Sequence, residues 1–110
     1  MIVDHRTYTI KPTGLVAWLT LYYEKGWPLQ QQYLGNCLGW YMVKEGRQDQ
    51  GVHLWAYRSQ ADREARREAL YADPAWGRYL QEMLGMDLLV SWENKFLTPT
   101  WFSPAVELSA

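Results

Sequence analysis

The sequence predicts one α+β domain in which strands and helices follow the order strand-helix-strand-strand-helix-strand. Four segments of strand length, 2–10, 37–45, 52–58 and 88–97, contain the residue types and alternation of β-strands. Between them lie two regions whose apolar residues recur at i, i+3, i+4 and i+7, the spacing of an amphipathic helix. The length of 110 residues is that of a single domain, and no repeat or linker divides it.

The first strand and first helix follow from local pattern. In segment 2–10 the side chains of Ile2, Asp4, Arg6, Tyr8 and Ile10 share one face. The helix stripe after it consists of Leu15, Trp18, Leu19 and Tyr22. We expect Gly26-Trp27-Pro28 to interrupt this helix, because proline costs about 3 kcal/mol in a helix interior.

Segments 37–45 and 52–58 form the predicted hairpin, connected through the polar, glycine-bearing residues 46–51. In the second of these strands, alternation separates two sets of side chains. We expect Val52, Leu54 and Ala56 to face the helices, and His53, Trp55 and Tyr57 to face outward.

The second helical region has two start signals. Ser59 stands three residues before Asp62, a weak form of the capping box, and Ala61–Ala72 has high helix propensity. Asp73-Pro74 then provides an N-cap and a first-turn proline for another helix. Its apolar stripe consists of Trp76, Tyr79, Leu80 and Met83.

This order of elements is that of a ferredoxin-like domain, βαββαβ, with a four-stranded antiparallel sheet and both helices on one face. Right-handed crossovers place strands one and three at its centre. We expect a homodimer, or a higher symmetric oligomer, in which two sheets cover an outward patch of Trp55 and Tyr57 and form a dimeric α/β barrel. The domain is predicted over residues 1–104, with 105–110 as a C-terminal tail.

Composition narrows the class of protein. The formal net charge is −1 and the sequence pI is about 6.1, so no basic field indicates a nucleic-acid partner. Cys37 is the single cysteine, which excludes an intramolecular disulfide. Neither a signal peptide nor an apolar run long enough for a membrane span is visible, so we expect a cytoplasmic location.

Several sequence segments together resemble the NIPSNAP family. They are Arg6-Thr7-Tyr8-Thr9-Ile10-Lys11-Pro12, His53-Leu54-Trp55-Ala56-Tyr57, Asp62-Arg63, Asp73-Pro74-Ala75-Trp76, and Glu93-Asn94-Lys95 followed by Pro99. The resemblance extends from the first strand to about Pro104 and implies a dimeric α/β barrel of ferredoxin-like subunits. It implies no particular reaction, because the family has no generally established activity.

Candidate site residues come from the strands. Arg6 and Tyr8 share a face, and they offer a guanidinium fork and a hydroxyl to an anionic or carbonyl-bearing ligand. An alternative for Arg6 is a structural ion pair with Asp4 or Glu93. His53 is the candidate acid-base group, with Tyr8 beside it, if strands one and three lie as parallel neighbours.

Three further residues complete the predicted site. Trp55 and Tyr57 share the face of His53 and could form walls for a planar ligand, and Asn94 on the last strand could orient a carbonyl group. The alternative is that these side chains only pack an interface. We expect no metal and no cofactor, because no cluster of ligating side chains is apparent.

Three functions remain open at this stage. The first is cofactor-free binding or transformation of a small carbonyl-bearing or aromatic molecule in a dimeric-barrel cavity. The second is a non-enzymatic protein-interaction module with an apolar patch around Trp27 or Trp101. The third is haem binding through His53.

Overall fold

The computed structural model of the chain describes residues 1–109. The strands are β1 (Ile2–Ile10), β2 (Asn36–Met42), β3 (Gln50–Tyr57) and β4 (Leu89–Leu97). The α-helices are α1 (Leu15–Leu21), α2 (Trp27–Leu34), α3 (Gln60–Ala72) and α4 (Pro74–Gly85). The predicted α+β, ferredoxin-like fold is confirmed.

The four strands form one sheet in the order β2-β3-β1-β4, and every neighbouring pair is antiparallel. Strands β1 and β3 are central, as predicted, but the expectation that they run parallel is wrong. The helical crossover returns the chain to start β2 in the direction of β1, and β3 then runs back between them. In the resulting register Arg6 of β1 lies opposite His53 of β3 and Asn94 of β4.

The first helical region continues through the predicted interruption. A π-helical segment, Tyr22–Gly26, links α1 to α2, and Pro28 lies in the first turn of α2. Proline is tolerated there because its missing N–H would have no partner within the helix. The expected break is therefore a change of helical pitch, and π-helical turns of this kind are frequent at functional sites.

Both predicted helix starts are confirmed in the second half. The Ser59 hydroxyl accepts the backbone N–H of Asp62 at 3.0 Å, and the Asp73 carboxylate accepts that of Ala75 at 2.9 Å. None of the helices among residues 1–109 is both long and apolar enough to span a membrane.

The predicted orientation of β3 is wrong. His53, Trp55 and Tyr57 lie beneath the helices and are almost completely buried. Trp27 of α2 packs on Trp55 with ring centroids 5.9 Å apart. Alternation defines two faces without saying which is covered, and here the large aromatic side chains fill the space between sheet and helices.

Trp55 and Tyr57 are core residues, so they form no outward patch that a second subunit would need to cover. The opposite face of the sheet carries the half-buried Val52 and Leu54. Residues 98–109 lead from β4, at one edge, to β2 at the other, where Ser109 bonds the side chain of Asn36. The homodimer stays a prediction.

Candidate functional site

A cavity of about 220 Å³ lies between the helix-facing side of the sheet and the helices. Its floor includes Arg6, Tyr8 and His53 from the two central strands. Most of its walls are large aromatic and aliphatic side chains, with two arginines and no carboxylate. The lining residues from the helices and from β2 and β4 are Trp18, Tyr22, Gln30, Trp40, Arg67, Tyr71, Trp76, Tyr79, Leu80, Met83, Leu84, Leu89 and Trp92.

Arg6 and Tyr8 interact directly at the cavity floor. Arg6 donates from Nε and Nη2 to the Tyr8 hydroxyl oxygen at 3.2 and 3.1 Å, and from Nη1 to Asp4 Oδ2 at 3.2 Å. The predicted alternative of an ion pair with Asp4 is therefore correct, and Arg6 also lines the cavity. Because the Tyr8 oxygen accepts from Arg6, its own O–H remains able to donate to a ligand.

Asp4 holds this arginine in place. Its buried carboxylate also accepts from Arg63 Nε and from Asn94 Nδ2, each at 3.0 Å. Burial alone would raise the pKa of Asp4, but Asn94 and the two guanidinium groups hold it below its usual value. Asn94 thus orients a buried carboxylate and is absent from the cavity lining, so its role toward a ligand stays a prediction.

His53 is fixed by its neighbour on the same strand. Trp55 Nε1 donates to His53 Nδ1 at 2.8 Å, and the His53 ring stacks on Trp40 with centroids 4.1 Å apart. Since an indole N–H can only donate, Nδ1 must be the acceptor and Nε2 must carry the proton. Burial, reinforced by Arg6, lowers the pKa of His53 to about 3.

This geometry changes the predicted chemistry of His53. A neutral imidazole with its Nδ1 lone pair occupied is a hydrogen-bond donor through Nε2, and a poor proton acceptor near neutral pH. Tyr8 and His53 are close, with ring centroids 5.4 Å apart. The strands therefore bring Arg6, Tyr8 and His53 together as donors. Trp55 acts through His53, and neither it nor Tyr57 lines the cavity.

The helices contribute a polar group that sequence reasoning missed. Trp40 Nε1 donates to the Tyr22 hydroxyl at 2.9 Å, and Tyr22 in turn donates to Gln30. Burial raises the pKa of Tyr22 far above its usual value, so it stays neutral. A Cβ on Gly26 would lie 2.8 Å from the Tyr22 ring, so the π-helical segment permits this packing through a glycine. The isolated glycine before Trp27-Pro28 was the available signal.

Several buried polar atoms near the cavity have no hydrogen-bond partner within the described residues. Three belong to lining residues: His53 Nε2, Trp18 Nε1 and Trp76 Nε1. Each is an N–H donor, and a buried donor left unpaired costs about 1–3 kcal/mol. Within residues 1–109 no three His, Cys, Asp or Glu side chains are grouped as metal ligands.

Comparisons with known proteins identify relatives over nearly the whole chain. The NIPSNAP family model matches residues 3–104. The crystal structure of Atu4242 from Agrobacterium tumefaciens is 35% identical with a TM-score of 0.89, covering 96% of this chain and 100% of that one. A NIPSNAP-like domain protein from Burkholderia xenovorans is 34% identical with a TM-score of 0.89, covering 97% and 91%.

Two other similar proteins are more distant. A putative NipSnap protein of Caenorhabditis elegans is 26% identical over 102 residues, which are 93% of this chain and 19% of that protein. This chain thus spans about a fifth of the curated relative. A putative antibiotic biosynthesis monooxygenase from Nitrosomonas europaea is 10% identical with a TM-score of 0.64, covering 92% and 100% of the two chains, and shares the fold alone.

Proposed function

The chain belongs to the NIPSNAP family, and we propose that it binds a small planar molecule with a carbonyl or carboxylate oxygen in the cavity between sheet and helices. One observation carries the proposal. Arg6, Tyr8 and His53 converge on a single cavity whose remaining walls are mainly aromatic. A mostly apolar pocket with a few convergent polar groups is the usual form of a small-molecule site.

The polar groups at the cavity floor favour a ligand with a hydrogen-bond acceptor. Arg6 is held by Asp4, the Tyr8 hydroxyl hydrogen is free, and His53 presents Nε2–H. Each of these groups is a donor on a residue that lines the cavity, and we expect a ligand oxygen to accept from them. The surrounding indole and phenol rings would then stack against the planar body of the ligand.

Haem fits this arrangement poorly. An axial histidine must offer a nitrogen lone pair to iron. In His53 the Nδ1 lone pair accepts from Trp55, and Nε2 carries a hydrogen. Haem ligation by His53 would require breaking the Trp55 bond and moving that proton, so the donor chemistry of the site favours an organic acceptor.

A second part of the proposal is a homodimer that covers the open face of the sheet. Val52 and Leu54 lie on that face, and the exposed Tyr41 pairs with Val52 in the register and shares it. Covering apolar area stabilises association by roughly 25 cal/mol per Å² before the cost of ordering. Sedimentation equilibrium should give twice the 13.0 kDa chain mass, whereas a folded monomer at micromolar concentration would contradict the dimer.

The test of binding is a calorimetric titration with benzoate and acetophenone, two small aromatic probes with acceptor oxygens. Tyr8→Phe removes one hydroxyl at the floor and keeps the ring. Loss of a hydrogen bond worth about 1 kcal/mol should raise Kd roughly fivefold. Tyr23→Phe is the matched control, because Tyr23 is exposed and outside this cavity. Equal effects of the two variants, or no binding by either probe, would count against the proposal.

An exposed aromatic pair supports a second candidate, a protein-interaction surface. Trp101 is 94% exposed and its ring lies edge-on to Phe102, with centroids 4.9 Å apart. Trp27, the other predicted location, packs against Trp55 instead. If the candidate is right, Trp101→Ser with Phe102→Ser should abolish binding to a purified partner while the melting temperature stays unchanged.

A further inference from the structure

The arginines at and beside the cavity outnumber the carboxylates that contact them. Asp4 is the one carboxylate in contact with Arg6, and it is shared with Arg63. Arg67 also lines the cavity and donates to the Tyr71 hydroxyl at 3.3 Å, with no carboxylate partner among residues 1–109. Arg6, Arg63 and Arg67 therefore carry more positive charge than Asp4 neutralises, in a chain whose net charge is −1.

Arg67 lies where an incoming ligand would meet it. It is half-buried on α3, and the exposed side chains of Tyr71, Leu84 and Trp92 also line the cavity and so define its mouth. Its guanidinium is 5.5 Å from the centroid of the Tyr71 ring. An arginine without a carboxylate partner, held at the entrance of a mainly apolar cavity, can steer and bind an anion.

The N–H donors without a hydrogen-bond partner also favour a ligand that is rich in acceptor oxygens, and this reason does not depend on charge. His53 Nε2, Trp18 Nε1 and Trp76 Nε1 are all donors, and the Gln30 carbonyl oxygen already accepts from Tyr22. The residues that line the cavity thus hold several unpaired N–H groups and few free acceptors. A carboxylate, which accepts at two oxygens and donates at neither, matches this set better than an amide or an alcohol.

We infer that the ligand is a small aromatic carboxylic acid, bound as its anion with Arg67 compensating the charge and Arg6, Tyr8 and His53 on the floor. The inference deepens the cavity binding proposed above and depends on it. The volume of about 220 Å³ suits one substituted ring, since an engineered cavity of about 150 Å³ accommodates benzene.

Charge selectivity tests the inference. Calorimetry with benzoate and its neutral isostere benzamide at pH 7 should show benzoate bound at least about tenfold more tightly, as expected for a charge-assisted bond. Arg67→Gln should remove most of that preference, and Arg67→Lys should keep part of it. Arg78→Gln is the matched control, because Arg78 is an exposed arginine on α4 outside the cavity.

The outcomes separate the two proposals. Benzamide and acetophenone binding as tightly as benzoate would overturn the carboxylate assignment and leave the cavity proposal intact. Arg67→Gln and Arg78→Gln with equal effects would overturn the role of Arg67. If none of the three probes binds, the proposed function itself fails.

Discussion

Lowering the pH from 5.5 to 4.5 should weaken the fold through His53. The imidazole is only 1% exposed and is held neutral by burial and by the Trp55 bond. Its pKa is lowered from 6.5 to about 3. In this interval the unfolded state binds a proton at His53 and the folded state does not, so stability falls as pH falls.

The magnitude follows from the proton difference. Nearly one proton separates the two states between pH 5.5 and 4.5, and one proton corresponds to about 1.4 kcal/mol per pH unit. The lowered pKa values of Asp4, Asp49, Asp62 and Asp73 add their own losses mainly as pH approaches and passes below the usual aspartate value of 3.8. Above pH 4.5 the histidine therefore contributes most of the change, and comparison with a variant that lacks it isolates its share.

Urea denaturation at matched protein concentration and ionic strength measures this slope. His53→Gln removes the titrating group and keeps a donor amide. The free energy of unfolding of this variant should therefore fall by roughly 1 kcal/mol less than that of wild type over the same interval. His5→Gln, on the opposite face of β1, is the matched control and should leave the His53 contribution in place. Identical pH dependence in wild type and His53→Gln would refute the neutral-donor assignment.

Two further substitutions test the packing around the cavity. Trp76→Ala should destabilise the fold by about 3–5 kcal/mol, because this buried side chain packs on Tyr79; an unchanged melting temperature would contradict that packing. Asp4→Asn should cost about 3–5 kcal/mol in urea denaturation, because it leaves Arg6 and Arg63 without their carboxylate, whereas Asp87→Asn, which breaks an exposed pair, should cost no more than about 1 kcal/mol.

Local sequence signals predicted the elements well because the responsible interactions are local. The side chains of Ser59 and Asp73 bond backbone groups only two or three residues away, so both helix starts are visible in the sequence. The Gly26-Trp27-Pro28 segment was misread because the local pattern does not distinguish a break from a π-helical turn.

The orientation of β3 could not be predicted from the alternation of residue types. Two alternating sets of side chains are visible in residues 52–58, but both are largely apolar. Which set faces the helices depends on pairing with β1, where Arg6 lies opposite His53. That long-range register also explains why Arg6, Tyr8 and His53 meet although the assumed outward face was wrong.

The missed site residues come from the helices. Tyr22 of the π-helical segment, Gln30 of α2 and Arg67 of α3 reach the cavity through packing of these helices on the sheet, which no local spacing encodes. Asn94 was predicted to orient a ligand carbonyl group from the last strand, but its hydrogen-bond partner Asp4 lies 90 positions away in the chain. The partners of buried polar groups depend on such long-range pairing and cannot be predicted from local spacing.

The indole resonances provide the most direct test of binding in the cavity. In a proton–nitrogen NMR titration with benzoate, the N–H signals of Trp18 and Trp76 should shift together with saturable dependence, because both side chains line the cavity. The signal of Trp101, which is almost fully exposed, should stay unchanged. Shifts confined to Trp101, or no saturable shift at Trp18 and Trp76, would contradict ligand binding between the sheet and the helices.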